Sequence, residues 1–348
     1  MPEQKHHQLD WINNLRVISM YAVIVLHVTS LLLMQYGKVP ANQWLVADFY
    51  NALSRFGVPV FVMMTGALLL HRDYELGDFL KRRLGRIIVP FLFWSLVYVG
   101  YSWYNEDIAF TGDAWANIKI VLHQLKYGSS YHLWYVYMLI GLYFFIPILS
   151  KFVRNASENE VLYFLLVWFG VMLIAQPYLS RFNPNIDLHN FAGYAGYLVL
   201  GHYLAFKKID LKYHALWFSL LIIVCLAIIV AGTYWVSNSQ KALSTMFYEP
   251  ISPVIVLLAS GVFLLCRSNM PKAHAWVKRA RDFAGSYIFG IYLSHALILY
   301  LIADNFNIDY TMCTPWVSIP VTALISFLLS LLLVYIISKI PFGKYVSG

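Results

Sequence analysis

The sequence predicts an all-α, polytopic membrane bundle of about ten transmembrane helices, and three observations carry that prediction. Of its 348 residues, 60% are hydrophobic and only 12% charged, against roughly 25% charged residues in a soluble domain. Mean hydropathy is +0.63, and the apolar stretches reach the length of about 20 residues that a helix needs to cross a bilayer. The basic residues alternate between the loops, as described below. A net charge of +8 would also suit a nucleic-acid binder, but these charges fall in short loops between apolar spans. Topology therefore explains them better than nucleic acid does.

In chain order the expected spans lie near 11–34, 49–70, 86–104, 132–150, 160–177, 190–206, 213–236, 248–267, 283–303 and 316–338. The first follows a short polar N-terminus and has no small-residue cleavage site after it, so it reads as a retained helix, not a signal peptide. If the N-terminus is cytoplasmic, 18 Lys and Arg fall inside, in clusters such as Lys81, Arg82, Arg83 and Arg86. Only Lys38, Lys119, Lys126, Arg181 and Lys241 fall outside. That bias places both termini in the cytoplasm. The longest loop, about 105–131, is then external; it carries Glu106, Asp107, Asp113, Trp115 and His123, with room for a short interfacial helix. No internal repeat suggests two transporter halves, and no extramembrane catalytic domain is expected, so one domain should span 1–348. Cys225, Cys266 and Cys313 lack the spacing of a disulfide framework or zinc site, and no metal is expected.

Ionisable residues at membrane depth are costly and mark functional interiors. Arg16 and His27 share the first span; eleven residues along a helix bring His27 within about 20° of the face of Arg16 and about 16 Å deeper. The structural alternative is a snorkelling Arg16 and a separately bonded His27. Arg55 lies in the second span, where Gly57, Pro59 and Gly66 suit a kink and close packing; it too can be read as an interfacial arginine. Arg82, Arg83 and Arg86 stand just before the third span, with Pro90 expected in its first turn. At a helix N-terminus such guanidinium groups can grip phosphates, or they can simply contact anionic lipid. His132 opens the fourth span among interfacial aromatics, where it can meet an acceptor hydroxyl or hydrogen-bond a loop. His295 is a second intramembrane histidine, following Gly285, Ser286 and Gly290, which permit tight helix contact. Glu249 is one of few acids near the membrane, placed to pair with Arg55 or a histidine. Asp10 suits an N-cap.

In this order the motifs resemble the acyltransferase 3 family, bacterial membrane proteins that modify surface glycans, and within it the stand-alone O-acetyltransferases of the enterobacterial-common-antigen type. The resemblance rests on Arg16-x10-His27 after Asp10-Trp-Ile-Asn-Asn-Leu, and on Val58-Pro-Val-Phe-Val-Met-Met-Thr-Gly66. It rests further on Arg83-x-x-Arg86 followed by Ile-Ile-Val-Pro90, on His132-Leu-Trp-Tyr, and on Gly290-Ile-Tyr-Leu-Ser-His295. One departure is Thr65-Gly66 where the family more usually has Ser-Gly; the hydroxyl is kept. The resemblance implies an inner-membrane O-acetyltransferase that takes acetyl-CoA as cytoplasmic donor and a glycan or lipid-linked sugar as acceptor. It casts His27, with Arg16, as the catalytic group, either a general base or a transient acetyl carrier. Arg82, Arg83, Arg86 and Arg16 would hold the donor, and Arg55, His132, His295 and Glu249 the acceptor side. The rival classes are a transporter or flippase for a lipid-linked sugar, which needs no acyl donor, and a non-catalytic membrane partner.

Overall fold

A computed structural model describes residues 2–176, 193–268 and 274–348. Every regular element in them is helical. The α-helices are α1 (Pro2–Leu33), α2 (Ala41–Ser54), α3 (Gly57–Leu69), α4 (Leu76–Tyr104), α5 (Ala114–Tyr127), α6 (Trp134–Asn155) and α7 (Glu158–Ile174). They continue with α8 (Ala195–Phe206), α9 (His214–Gln240), α10 (Pro253–Ser268), α11 (Ala275–Gly285), α12 (Ile288–Phe306) and α13 (Pro315–Lys339). Eight spans are long and apolar enough to cross a membrane: Asp10–Leu33, Ala41–Leu69, Leu76–Tyr104, Tyr131–Asn155, His214–Gln240, Met246–Ser268, Ile288–Phe306 and Pro315–Lys339. The other two expected spans appear as α7, of 17 residues, and α8, of 12. Twelve residues rise only about 18 Å, short of the roughly 30 Å hydrocarbon core. The adjoining residues 177 and 190–192 of these two spans lie outside the described residues, as do Arg181 and Lys272.

The spans are less uniform than the hydropathy suggests. The second begins at Ala41 and breaks between α2 and α3 at Arg55 and Phe56. Pro59 explains the position of the break, because it has no amide to donate to the carbonyl of Arg55 four residues back. Gly57 then lies so near α1 that a side-chain carbon there would come within 3.0 Å of Val23 and 3.1 Å of the Ser19 carbonyl. Gly66 rests directly on the Leu198 carbonyl, and Gly201 on the backbone of Met63, so α3 and α8 approach backbone to backbone. The expected packing role of Gly66 is what the structure shows.

Three expectations about helix ends need correction. The first helix begins at Pro2, so Asp10 lies inside it and caps nothing. The third span was expected to open near Arg86, with the arginines at its start and Pro90 in its first turn. Instead α4 begins at Leu76, so Arg82, Arg83 and Arg86 follow its first turn and Pro90 is interior. Their backbone amides belong to the helical ladder, and the free-amide contribution to anion binding is lost there. The ninth span is also split, into the charged α11 and the apolar α12, at Ser286 and Tyr287. The longest loop does hold a helix, α5, capped by Asp113, whose carboxylate accepts the Trp115 amide at 2.9 Å.

The core sits around α1, which packs against α2, α3, α10, α11, α12 and α13. After α13 the chain turns back through Gly343–Tyr345. Trp94 donates its indole N–H to the Val346 carbonyl at 3.0 Å, and the Ser347 carbonyl lies on Gly290. The tight contact expected at Gly290 is therefore made with this segment.

Candidate active site

The breaks and close glycine contacts converge three helices on one histidine cluster. His27 of α1 stacks on His295 of α12, with ring centroids 5.2 Å apart and planes inclined by 29°. His132, in the single turn of 3-10 helix before α6, stands 4.9 Å from His295 and 6.5 Å from His27. Tyr131 closes a further side, 4.8 Å from the His27 ring. His132 and His295 are buried, while His27 is half-buried. His27 is thus the least enclosed of the three.

Hydrogen bonds fix the enclosed rings. His295 Nδ1 lies 2.6 Å from the Tyr292 carbonyl. A carbonyl only accepts, so Nδ1 carries the proton and Nε2 keeps a bare lone pair. That Nε2, like His132 Nε2, is buried without a hydrogen-bond partner among the described residues. His132 Nδ1 meets the Ser130 hydroxyl at 3.0 Å. Tyr292 braces both: its carbonyl accepts a hydrogen bond from His295 Nδ1–H, and its hydroxyl donates to the His132 carbonyl. His132 thus makes the loop hydrogen bond foreseen as its structural reading and also faces the other histidines.

A cavity of about 290 Å³ approaches this cluster from the end of the bundle where α1 begins. Arg16 lines it, with Thr65, Ile87, Tyr143 and Ser286, and it ends at Tyr135 and Tyr292. These two rings are 5.2 Å apart, and Tyr292 lies 5.7 Å from His295. One aromatic layer thus separates the cavity from the histidines. Arg16 is held by a short relay: it donates to Asn13 Oδ1 at 3.2 Å, and Asn13 donates to Asp282 at 3.0 Å. Arg281 also binds Asp282, at 2.7 Å, and reaches Asp10 at 2.9 Å, where Lys278 joins it. Asp10 is therefore no N-cap but an interior residue of α1 that ties α11 to it by ion pairs.

The remaining candidates divide. Arg83 lies within electrostatic reach of the cavity-lining Tyr143. Arg82 and Arg86 are exposed, and Arg82 pairs with Asp78 at 3.0 Å. Arg55 is drawn into the protein: its Nε donates to Asn51 Oδ1 at 2.7 Å, its Nη1 to the Tyr248 carbonyl at 3.1 Å, and it sits 4.1 Å over the Tyr248 ring. It also lies within electrostatic reach of His27. Glu249 is exposed and forms no ion pair with Arg55 or a histidine among the described residues.

Sequence reasoning missed the partners of Arg55. Asp48 is fully buried in α2; its Oδ1 accepts the Tyr248 hydroxyl at 2.5 Å, and its Oδ2 has no partner among the described residues. Asn51 also donates to the Thr29 hydroxyl at 2.8 Å, linking the group to α1. The signal was present, since Asp48 and Arg55 are seven residues apart on one helical face. Placing the second span at 49–70 left Asp48 just outside the membrane.

These features together define a helical membrane protein with a cluster of three histidines enclosed by its bundle. Residues 9–339 match the acyltransferase domain of the acyltransferase 3 family, and the chain belongs to that family. It is 25% identical over 310 residues to YfiQ of Bacillus subtilis (strain 168), provisionally named a membrane-bound acyltransferase. The match covers 84% of this chain and 81% of that protein. No solved structure matches. The protein is a multi-pass membrane acyltransferase.

Proposed function

We propose that the protein moves an acetyl group from cytoplasmic acetyl-CoA to a hydroxyl of a cell-surface or lipid-linked glycan, in the bacterial inner membrane with both termini cytoplasmic. The observation that carries this reading is the cavity that runs from Arg16 to Tyr292 and stops one ring short of the stacked His27 and His295. The donor is polyanionic, and Arg16 with Arg83 supplies cations on that side. Arg82 and Arg86, being exposed, serve its outermost phosphates. The pantetheine arm suits the apolar cavity, with the Thr65 hydroxyl on its wall.

In the transfer itself, the acceptor hydroxyl oxygen bonds to the acetyl carbonyl carbon and the carbon–sulfur bond breaks. His27 takes the hydroxyl proton and returns it to the departing sulfur, leaving an acetyl ester and free CoA. Imidazole suits this work because its nitrogens exchange protons near neutrality. The same ring can instead carry the acetyl group on nitrogen between donor and acceptor. Rapid denaturation near neutral pH after labelled donor is mixed without acceptor separates the two routes, since only the second leaves label on the protein and that label is lost on acidification. His295 and His132 hold the His27 ring, and Arg55 stabilises negative charge developing on the carbonyl oxygen.

The direct test is titration of purified protein with acetyl-CoA. Wild type is expected to bind, with affinity weakened in Arg16→Ala and in Arg83→Ala/Arg86→Ala. Failure of well-folded wild type to bind acetyl-CoA overturns this reading and favours transport of a lipid-linked sugar.

A further inference from the structure

The opposite side of the histidine cluster carries a second concavity, of about 420 Å³, between the end of α5 and the start of α6. That volume falls in the roughly 300–1,000 Å³ range of small-molecule sites. Its walls are Tyr127, Tyr131, Trp134 and Tyr137, with Ser129 and Ser130 between them. We propose that this groove binds a pyranose residue of a membrane-tethered acceptor and presents its hydroxyl to His27. The proposal rests on the acetyltransferase reading above and assigns the place and chemistry of its acceptor.

The chemistry of the lining selects the ligand. A pyranose has apolar C–H faces and a rim of hydroxyls, so its site needs aromatic planes beside hydrogen-bonding groups. Tyr and Trp supply both in one side chain, an apolar ring and a polar tip. Here Tyr127, Tyr131 and Trp134 all remain exposed, 68%, 49% and 44% respectively. The Ser129 hydroxyl is buried in this wall without a hydrogen-bond partner among the described residues. Lys126 adds a donor at the rim, its ammonium 4.9 Å from the Tyr127 ring.

The groove is also built rather than incidental. Gly128 turns the chain at φ +99°, a conformation that other residues rarely adopt. Tyr137 of α6 donates its hydroxyl to the Leu125 carbonyl of α5, bracing the two walls. Two of its residues reach the reaction centre directly. Tyr131 lines the groove and packs 4.8 Å from His27, and Ser130 lines it and bonds His132. A sugar against Tyr131 is one ring away from His27.

Membrane level points to a tethered acceptor. Trp115, Ile118 and Leu122 are exposed along α5. Their i, i+3, i+7 spacing makes one apolar stripe, as in helices that lie in the membrane surface. The groove at the end of such a helix stands at headgroup level, where the first sugars of a lipid-linked glycan lie.

The test uses full-length protein in lipid nanodiscs free of sugar detergents, with labelled acetyl-CoA and the methyl glycosides of glucose, galactose and N-acetylglucosamine as acceptors. Trp134→Ala and Tyr127→Leu are expected each to raise the glycoside KM about tenfold, the loss of one good contact. Acetyl-CoA affinity should stay within about twofold, the scale of a neutral surface change. Tyr131→Ala should raise KM and lower kcat together, because that ring also packs on His27. Trp115→Leu, on the lipid stripe outside the groove, should leave KM unchanged. If Trp134→Ala does not fold, the exposed Tyr127→Leu carries the comparison alone.

Unchanged KM in the groove variants of an enzyme that still acetylates glycosides overturns the subsite and leaves the acetyltransferase reading standing. Transfer to lipid or other alcohols with no glycoside accepted overturns the pyranose assignment in the same way. Wild type that binds no acetyl-CoA overturns both.

Discussion

At the residue scale, the three histidines are not equivalent. His295 holds its proton on Nδ1 against a carbonyl, and His132 shares its Nδ1 with Ser130, so both rings are fixed from behind. His27 is the least enclosed of the three. His27→Ala is therefore expected to lower kcat by about 10²–10⁴, the usual contribution of a positioned acid–base group. His295→Ala should cost less than His27→Ala, because it removes a support and not the nitrogen proposed to react; initial rates at saturating donor measure both. Asp48 gives a second prediction. Replacing it with leucine leaves the buried Tyr248 hydroxyl without its acceptor, a loss of about 1–3 kcal/mol, to be read as a fall in melting temperature. Asp48→Asn, which still offers a carbonyl oxygen, should cost less.

At the scale of elements, the close approach of α3 and α8 depends on two positions where only hydrogen fits. Gly66→Ala would drive a methyl group into the Leu198 carbonyl, with an expected cost of about 1–3 kcal/mol from forced backbone shifts. A thermal melt of the purified variant checks it. The apolar runs make the helices readable in the sequence, and Gly66 marks a close contact there, but neither its partner helix nor Gly201 is legible without the structure. Helix starts were less readable: α4 extends ten residues before the expected Arg86 because polar residues at the membrane surface remain helical while adding nothing to hydropathy. The same blindness hid Asp48. The division of one span into α11 and α12, and of another into α2 and α3, also escaped a pattern that registers only apolar length. Arg16, His27, His132 and His295 were all named from sequence, but not the tyrosines between them. Tyr292 and Tyr131 look like ordinary belt aromatics until their neighbours are known.

At the scale of the whole molecule, the arrangement is two approaches to one polar centre. A cavity rises from Arg16 to Tyr292 on one side, and an aromatic groove meets Tyr131 on the other. The proposed topology makes them cytoplasmic and external. It places the exposed Cys313, between α12 and α13, outside the cell; a membrane-impermeant maleimide should label it in intact cells, and protection there would reverse the orientation. The central claim is that His27 carries the transfer while the opposite side of the bundle holds the donor. Its most direct measurement is a single turnover with labelled acetyl-CoA and native membrane glycans as acceptor, wild type beside His27→Ala, with donor binding measured on the same samples. The account predicts equal donor binding by both proteins and labelled glycan from wild type alone. Undiminished labelled glycan from His27→Ala would contradict it.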